Sequence, residues 1–136
     1  MRCFALVLLG LYLVFVARLT LADPSAGQSV FSLADSLATR YSGGELDWSE
    51  TEVLANVALF VPIGFLLTVV LGRPVMSIVL CVLGSACIEL AQQQWLPSRV
   101  PTIADVQHNS LGGLIGSLVA WPLLWLSRPL KQPKVA

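Results

Sequence analysis

Apolar residues along this chain gather into four long runs rather than into short alternating segments. A membrane span needs about 20 predominantly apolar residues, and the runs at 4–22, 53–71, 75–94 and 106–126 have that length. The first is interrupted only by Arg18, the second and fourth carry no charge, and the third holds one, Glu89. Each predicts a helix, because open backbone in hydrocarbon would leave its polar groups unpaired. The segment 23–52 reads differently. Val30, Phe31, Ala34, Leu37, Ala38 and Tyr41 recur at helical spacing while Asp35, Thr39 and Arg40 take the other face, which predicts a short amphipathic helix over 30–41. Such a helix can lie on the membrane surface or pack over the mouth of the bundle, and the pattern leaves both open. Ser42-Gly43-Gly44 ends it.

Composition agrees with the pattern. The chain has 136 residues, of which 56% are hydrophobic and 12% charged, and its mean hydropathy is +0.79. A soluble monomer of this size buries only about two-thirds of its unfolded-chain surface, too little to hide so much apolar area. Eight basic and eight acidic residues cancel, which excludes a basic nucleic-acid binder, and the hydropathy excludes a disordered chain. Three cysteines, Cys3, Cys81 and Cys87, form no disulfide framework or metal clip, since residues 81 and 87 fall on different sides of one helix. The expectation is an all-α polytopic membrane protein, a single domain over 1–136 with four transmembrane helices.

Charge placement sets the orientation. With the N-terminus inside, Arg2, Arg73, Arg128, Lys131 and Lys134 lie on the inner side, and Arg40 and Arg99 lie outside. All eight acids, Asp23, Asp35, Glu45, Asp47, Glu50, Glu52, Glu89 and Asp105, then lie outside or near the outer boundary. The expected topology is N-in, C-in, with a tight inner turn at Gly72-Arg73-Pro74 and the segment 23–52 outside. Trp48 and Trp95 suit the outer interface, Trp121 and Trp125 the inner one. The first run also admits a signal-peptide reading, with Arg2 as its basic start and Thr20-Leu21-Ala22 as its cleavage site, although Arg18 interrupts the approach to that site. Either reading sends the following segment outside.

Polar residues inside spans are costly and therefore informative. Converting position to depth places Asn56, Glu89, Gln92, Gln93, His108 and Asn109 in one outer layer contributed by three helices, with Asp105 at the start of the fourth helix and Arg99 on the loop above. Glu89 shares a helix face with Ser85, Gln92 and Gln93. Asp105, Asn109, Gly112 and Gly116 share another, and the small-xxx-small pair Gly112/Gly116 permits close helix approach that would bring Asn109 near Glu89 or Asn56. Pro62 and Gly64 allow a bend in the second span. The asparagines can be interhelical glue or ligand contacts, Glu89 can pair with Arg99 or serve a site, and Arg99 and Asp105 can form a loop salt bridge. Glu89 and His108 are the candidate acid–base pair, with no nucleophile elbow, phosphate-cradling loop or metal-ligand set beside them.

These same residues carry a resemblance. Asn56-Val-Ala-Leu-Phe-Val-Pro62-Ile-Gly64-Phe-Leu-Leu resembles the second-helix signature of the VanZ-like membrane protein family. The likeness continues through Ser85, Glu89-Leu-Ala-Gln92, Arg99 and Asp105-Val-Gln-His-Asn109-Ser-Leu-Gly112-Gly-Leu-Ile-Gly116, covering about 53–120, with a fainter echo at Leu11-Tyr12 and Thr20-Leu21. His108 and the Val-Pro-Thr-Ile run after Arg99 depart from the family pattern. The family takes its name from resistance to the glycopeptide teicoplanin, and its members are small multi-span bacterial proteins. The resemblance implies an inner-membrane protein of the bacterial cell envelope, without a settled mechanism.

Three functions follow as expectations. One is a binding protein for an envelope lipid or glycan precursor, or a glycopeptide antibiotic, held at the outer leaflet by Asn56, Glu89, Gln92, Arg99, Asp105 and Asn109. Another is a hydrolase or transferase acting on a polyprenyl-phosphate-linked lipid, with Glu89 as base and His108 as acid. The third is a non-catalytic subunit of an envelope polysaccharide assembly, with a membrane-protein partner or a second copy against the glycine face. None calls for a cofactor, a metal or nucleic acid.

Overall fold

The structure, a computed structural model, describes residues 2–21, 24–43, 47–96 and 102–126. These form five helices: α1 (Arg2–Leu21), α2 (Pro24–Ser42), α3 (Trp48–Leu71), α4 (Pro74–Trp95) and α5 (Ile103–Leu126). All but α2 are long and apolar enough to span a membrane, so the protein is an all-helical, multi-pass membrane protein. Arg99, Asp23, Glu45 and the basic tail at 128–134 lie outside the described residues.

Local chemistry explains the boundaries. Asp47 caps α3: its side chain accepts from the Glu50 backbone N–H at 2.8 Å while the Glu50 carboxylate accepts from the Asp47 N–H at 3.1 Å. That reciprocal capping box starts α3 at Trp48, five residues before the apolar run predicts, so the helix carries Glu50 and Glu52 on its first turns. Asn56 therefore lies about 12 Å along α3. At the other end Gly72 takes the left-handed conformation at φ 67°, its N–H bonds the Thr68 carbonyl, and Pro74 opens α4 at its first turn. Both residues suit those positions, since glycine accepts positive φ and a proline at the first helical turn lacks an N–H that would go unbonded anyway. The turn is the tight hairpin the sequence implies.

Lipid offers helices little hydrophobic reason to associate, so close packing and interhelical bonds must hold them. α3 is the hub. It runs parallel to α5 in the most extensive contact of the molecule, and antiparallel to α1 and α4. A methyl group on Gly112 would collide with the Val57 carbonyl, one on Gly116 with the Val61 carbonyl, and one on Gly64 with the Gly113 carbonyl. The two backbones touch, which only glycine permits. Ser117 adds a hydroxyl bond to the Gly64 carbonyl at 3.3 Å. A small apolar cluster of Leu9, Val16, Phe60, Ile63 and Cys81 fills the space between α1, α3 and α4. The rest of the interior is unusually polar: Thr51, Thr68, Ser77, Ser85, Gln92, Asn109 and Ser117 are all buried. Most large apolar side chains of the spans point outward instead, as lipid-facing helices require.

α2 is longer than predicted, beginning at Pro24. Phe31, Ala34, Asp35 and Ala38 are half-buried, whereas Val30, Leu33, Leu37 and Tyr41 are exposed. Asp35 thus departs from the polar face assigned to it by spacing. Contacts with α1 and α3 claim one side of the helix, and an apolar stripe beside that contact stays open.

Candidate functional site

The helix register builds the polar layer. Asn56 stands 16 residues before Gly72 and Glu89 stands 16 residues after Arg73, so both lie about 24 Å from the α3–α4 turn at 1.5 Å per residue. The parallel α3–α5 seam brings His108 and Asn109 to nearly the same depth, because the Val57 carbonyl meets Gly112 and the Gly64 position meets Gly113. Three helices thus deliver polar side chains to one level.

Within that layer the amides tie helices together. Asn56 Nδ2 donates to Asp105 Oδ1 at 2.9 Å, joining α3 to α5. Asn109 Nδ2 donates to Ser85 Oγ at 2.9 Å, joining α5 to α4. Gln92 Nε2 donates to the Thr20 carbonyl at 3.0 Å, joining α4 to α1. Asp105 also accepts from the Thr102 hydroxyl at 2.7 Å, while the Asp105 N–H returns a bond to Thr102 Oγ1 at 3.2 Å. That exchange fixes the first turn of α5 and aims one Asp105 oxygen at Asn56. Across the α3–α5 seam Asn56 pairs with Asp105, and across the α4–α5 contact Asn109 pairs with Ser85, where spacing alone suggests Asn109 meeting Asn56 or Glu89.

Asn109 is buried and its Oδ1 makes no hydrogen bond. Glu89 is half-buried with Oε2 enclosed, and His108 is half-buried on the flank of α5. Gln93 is exposed, so of the Glu89 face only Ser85 and Gln92 are wholly inside. Pro62 is half-buried within α3, below Asn56, and Gly64, Gly112 and Gly116 are all seam residues. The described residues contain no group of acidic, histidine or cysteine side chains arranged to hold a metal.

This geometry stands on the segment whose sequence is most distinctive, and the family profile described as VanZ/LLP1 matches residues 3–126. The chain belongs to the VanZ/LLP1 family. The match takes in α1 through α5, so the family's domain includes the first helix and the α2 segment as well as the three-helix core. Neither the comparison with curated proteins nor that with solved structures returned a match.

Sequence reasoning missed the parts of this VanZ/LLP1 domain that use backbone carbonyls. The Tyr12 hydroxyl donates to the Leu59 carbonyl at 3.0 Å, holding α1 against α3, and Thr20 offers its carbonyl to Gln92. The faint likeness at Leu11-Tyr12 and Thr20-Leu21 is the signal that could have found them. Gly113 was passed over as a mere neighbour of Gly112, yet a methyl group there would stand 2.5 Å from Cys81 Cβ. Gly113 therefore lets α4 approach α5 as Gly112 lets α3 do so.

Proposed function

We infer that this protein binds an envelope lipid or glycan precursor at the outer leaflet of the bacterial inner membrane. The reading rests on an N-in, C-in topology, which puts the Asp105 end outside because Arg2 and Arg73 lie at the opposite end. One observation carries it: Asn109, held by Ser85 in the middle of the polar layer, keeps a buried carbonyl oxygen that makes no hydrogen bond. A buried acceptor left bare is costly, and a hydroxyl-bearing headgroup entering between α4 and α5 would supply its donor. Asn56, Glu89, Gln92 and Asp105 share that level, and Arg99, four residues beyond the end of α4 in sequence, is the cation this reading assigns to a phosphate.

The test is native mass spectrometry of the protein from gentle detergent with polyprenyl-phosphate-linked sugars, wild type beside Arg99→Ala and Asn109→Leu. An adduct on wild type that both variants lose supports the reading. A bare wild-type protein overturns it, and a change in the mass of the added lipid moves Glu89 and His108 into an acid–base role.

A second reading is favoured by the bonding pattern itself. The amide groups of Asn56, Gln92 and Asn109 all donate within the bundle, as internal glue in a non-catalytic assembly subunit would. On that reading Glu89→Gln lowers yield and stability and leaves lipid capture unchanged.

A further inference from the structure

A serine or threonine within a helix commonly satisfies its hydroxyl on the carbonyl four residues back. Thr20, Thr51, Ser77 and Ser110 do so here, on Val16, Asp47, Arg73 and Val106. Thr68 does not. Its side chain is wholly enclosed, at 0% exposure, and its Oγ1 makes no hydrogen bond. The carbonyl it would use is that of Gly64, and Ser117 Oγ reaches across from α5 to donate to the same oxygen at 3.3 Å. The helix N–H of Thr68 is the other donor to that carbonyl, so both of its lone pairs are engaged. The glycine seam that draws α5 against α3 thus takes from Thr68 the acceptor its own helix supplies.

Three helices meet at this level with small, enclosed side chains. Thr68 stands four residues before Gly72 and Ser77 four residues after Arg73, so both lie about 6 Å from the α3–α4 turn. Gly116 lies against the backbone of Val61 and Phe65, which brings Ala120, one turn further along α5, level with Thr68. Ser117 falls between the two. Ser77, Ser117 and Ala120 are each at 0% exposure, as Thr68 is. Ser77 Oγ and Ser117 Oγ give their hydrogens to the Arg73 and Gly64 carbonyls and keep lone pairs that can accept. Thr68 therefore brings a donor in need of an acceptor, and the two serines bring acceptors in need of a donor. A water molecule that accepts from Thr68 and donates to both serines satisfies all three, and three bonds are the usual number for a buried water.

We propose that Thr68, Ser77 and Ser117 bind a single internal water, which ties α3, α4 and α5 together near the α3–α4 turn. Its level is separate from the polar layer, which lies about 24 Å from the same turn. Cys81, packed against Gly113, stands between the two levels. The water site is independent of the envelope-ligand reading, since none of its three residues belongs to that layer.

Magnetic relaxation dispersion of water oxygen-17 counts long-lived internal waters and gives a direct test on the full chain in detergent. Wild type is expected to hold one more such water than Thr68→Val, while Thr68→Ser, which keeps the hydroxyl, should match wild type. In detergent-denaturant unfolding, the unfolding equilibrium constant of Thr68→Val should be about fivefold larger, the ordinary worth of one hydrogen bond. Ser117→Ala is a second arm that does not depend on valine being tolerated. It returns the Gly64 carbonyl to the Thr68 hydroxyl, so the water should again be lost while the unfolding constant changes by less than about twofold, one bond replacing another. Water counts in Thr68→Val or Ser117→Ala equal to that of wild type overturn the proposal. A smaller unfolding constant in Thr68→Val also overturns it, because valine would then be relieving a dry, unpaired hydroxyl.

Discussion

The α3–α5 seam and the polar layer near the Asp105 end of α5 solve one problem by opposite means. In the seam, Gly64, Gly112 and Gly116 remove side chains so that backbones meet. In the layer, Asn56, Asp105, Ser85, Asn109 and Gln92 extend side chains that join helices by hydrogen bonds. Where glycines bring α3 and α5 together, little room remains for chemistry. Where polar side chains bridge the helices, an oxygen such as Asn109 Oδ1 is left over. A small membrane protein can therefore be rigid through one half of its bundle and chemically equipped in the other.

The largest test of that contrast is Gly116→Ala. Its new methyl group meets the Val61 carbonyl and the Phe65 N–H, both backbone, so the helices must separate. The expected cost is about 3 kcal/mol, the upper part of the overpacking range, read as a lower midpoint in detergent-denaturant unfolding. Gly84→Ala is the control: nothing lies within 4 Å of its added carbon, and its effect should stay within about 0.5 kcal/mol. Similar losses in the two variants would mean that the backbones of α3 and α5 do not touch.

The layer should respond less steeply. A double-mutant cycle of Ser85→Ala with Asn109→Ala is expected to give a coupling of about 0.6 kcal/mol, the average for interhelical bonds in membranes, and at most about 1.7 kcal/mol. A zero coupling energy would remove the layer's role in holding α4 to α5. Gln92→Leu loses the bond to the Thr20 carbonyl, with an expected cost of about 0.6 kcal/mol. Hydrogen exchange should localise it, with faster exchange confined to the last turns of α1.

The smallest effect lies above the layer, at the α3 cap. Bonds from the Glu50 N–H and the Ser49 hydroxyl hold the Asp47 carboxyl below the usual carboxylate range. A carboxyl lowered on folding contributes stability that is complete above its unfolded pKa and is lost as pH falls through the folded one. The first turn of α3 should accordingly fray only below about pH 4, seen as accelerated exchange at residues 48–51. Asp47→Asn should retain most of the protection and lose its pH dependence. An unchanged pH profile in that variant would assign the fraying to another acid.

Much of this protein is legible without coordinates. Four apolar runs, the Gly72-Arg73-Pro74 turn and the Gly112/Gly116 spacing come from local rules: bilayer thickness fixes span length, and backbone conformation fixes where glycine and proline sit. Helix rise alone places Asn56 and Glu89 at one level, since depth in an antiparallel hairpin is counted from its turn. Partners are another matter. That Asn56 meets Asp105, that Gln92 and Tyr12 choose the carbonyls of Thr20 and Leu59, and that Gly113 admits Cys81 all depend on helix rotation and crossing. Those are set by the summed packing of the whole bundle. Spacing along one helix says which residues share a face, and only the neighbouring helix decides which atom on it is within 3 Å. The early start of α3 shows the same limit from the other side, because the Asp47–Glu50 box extends the helix through charged residues that hydropathy assigns to a loop. Composition determined that this chain lives in a membrane. Tertiary packing decided which of its few polar atoms are bound within the bundle and which remain for another molecule to find.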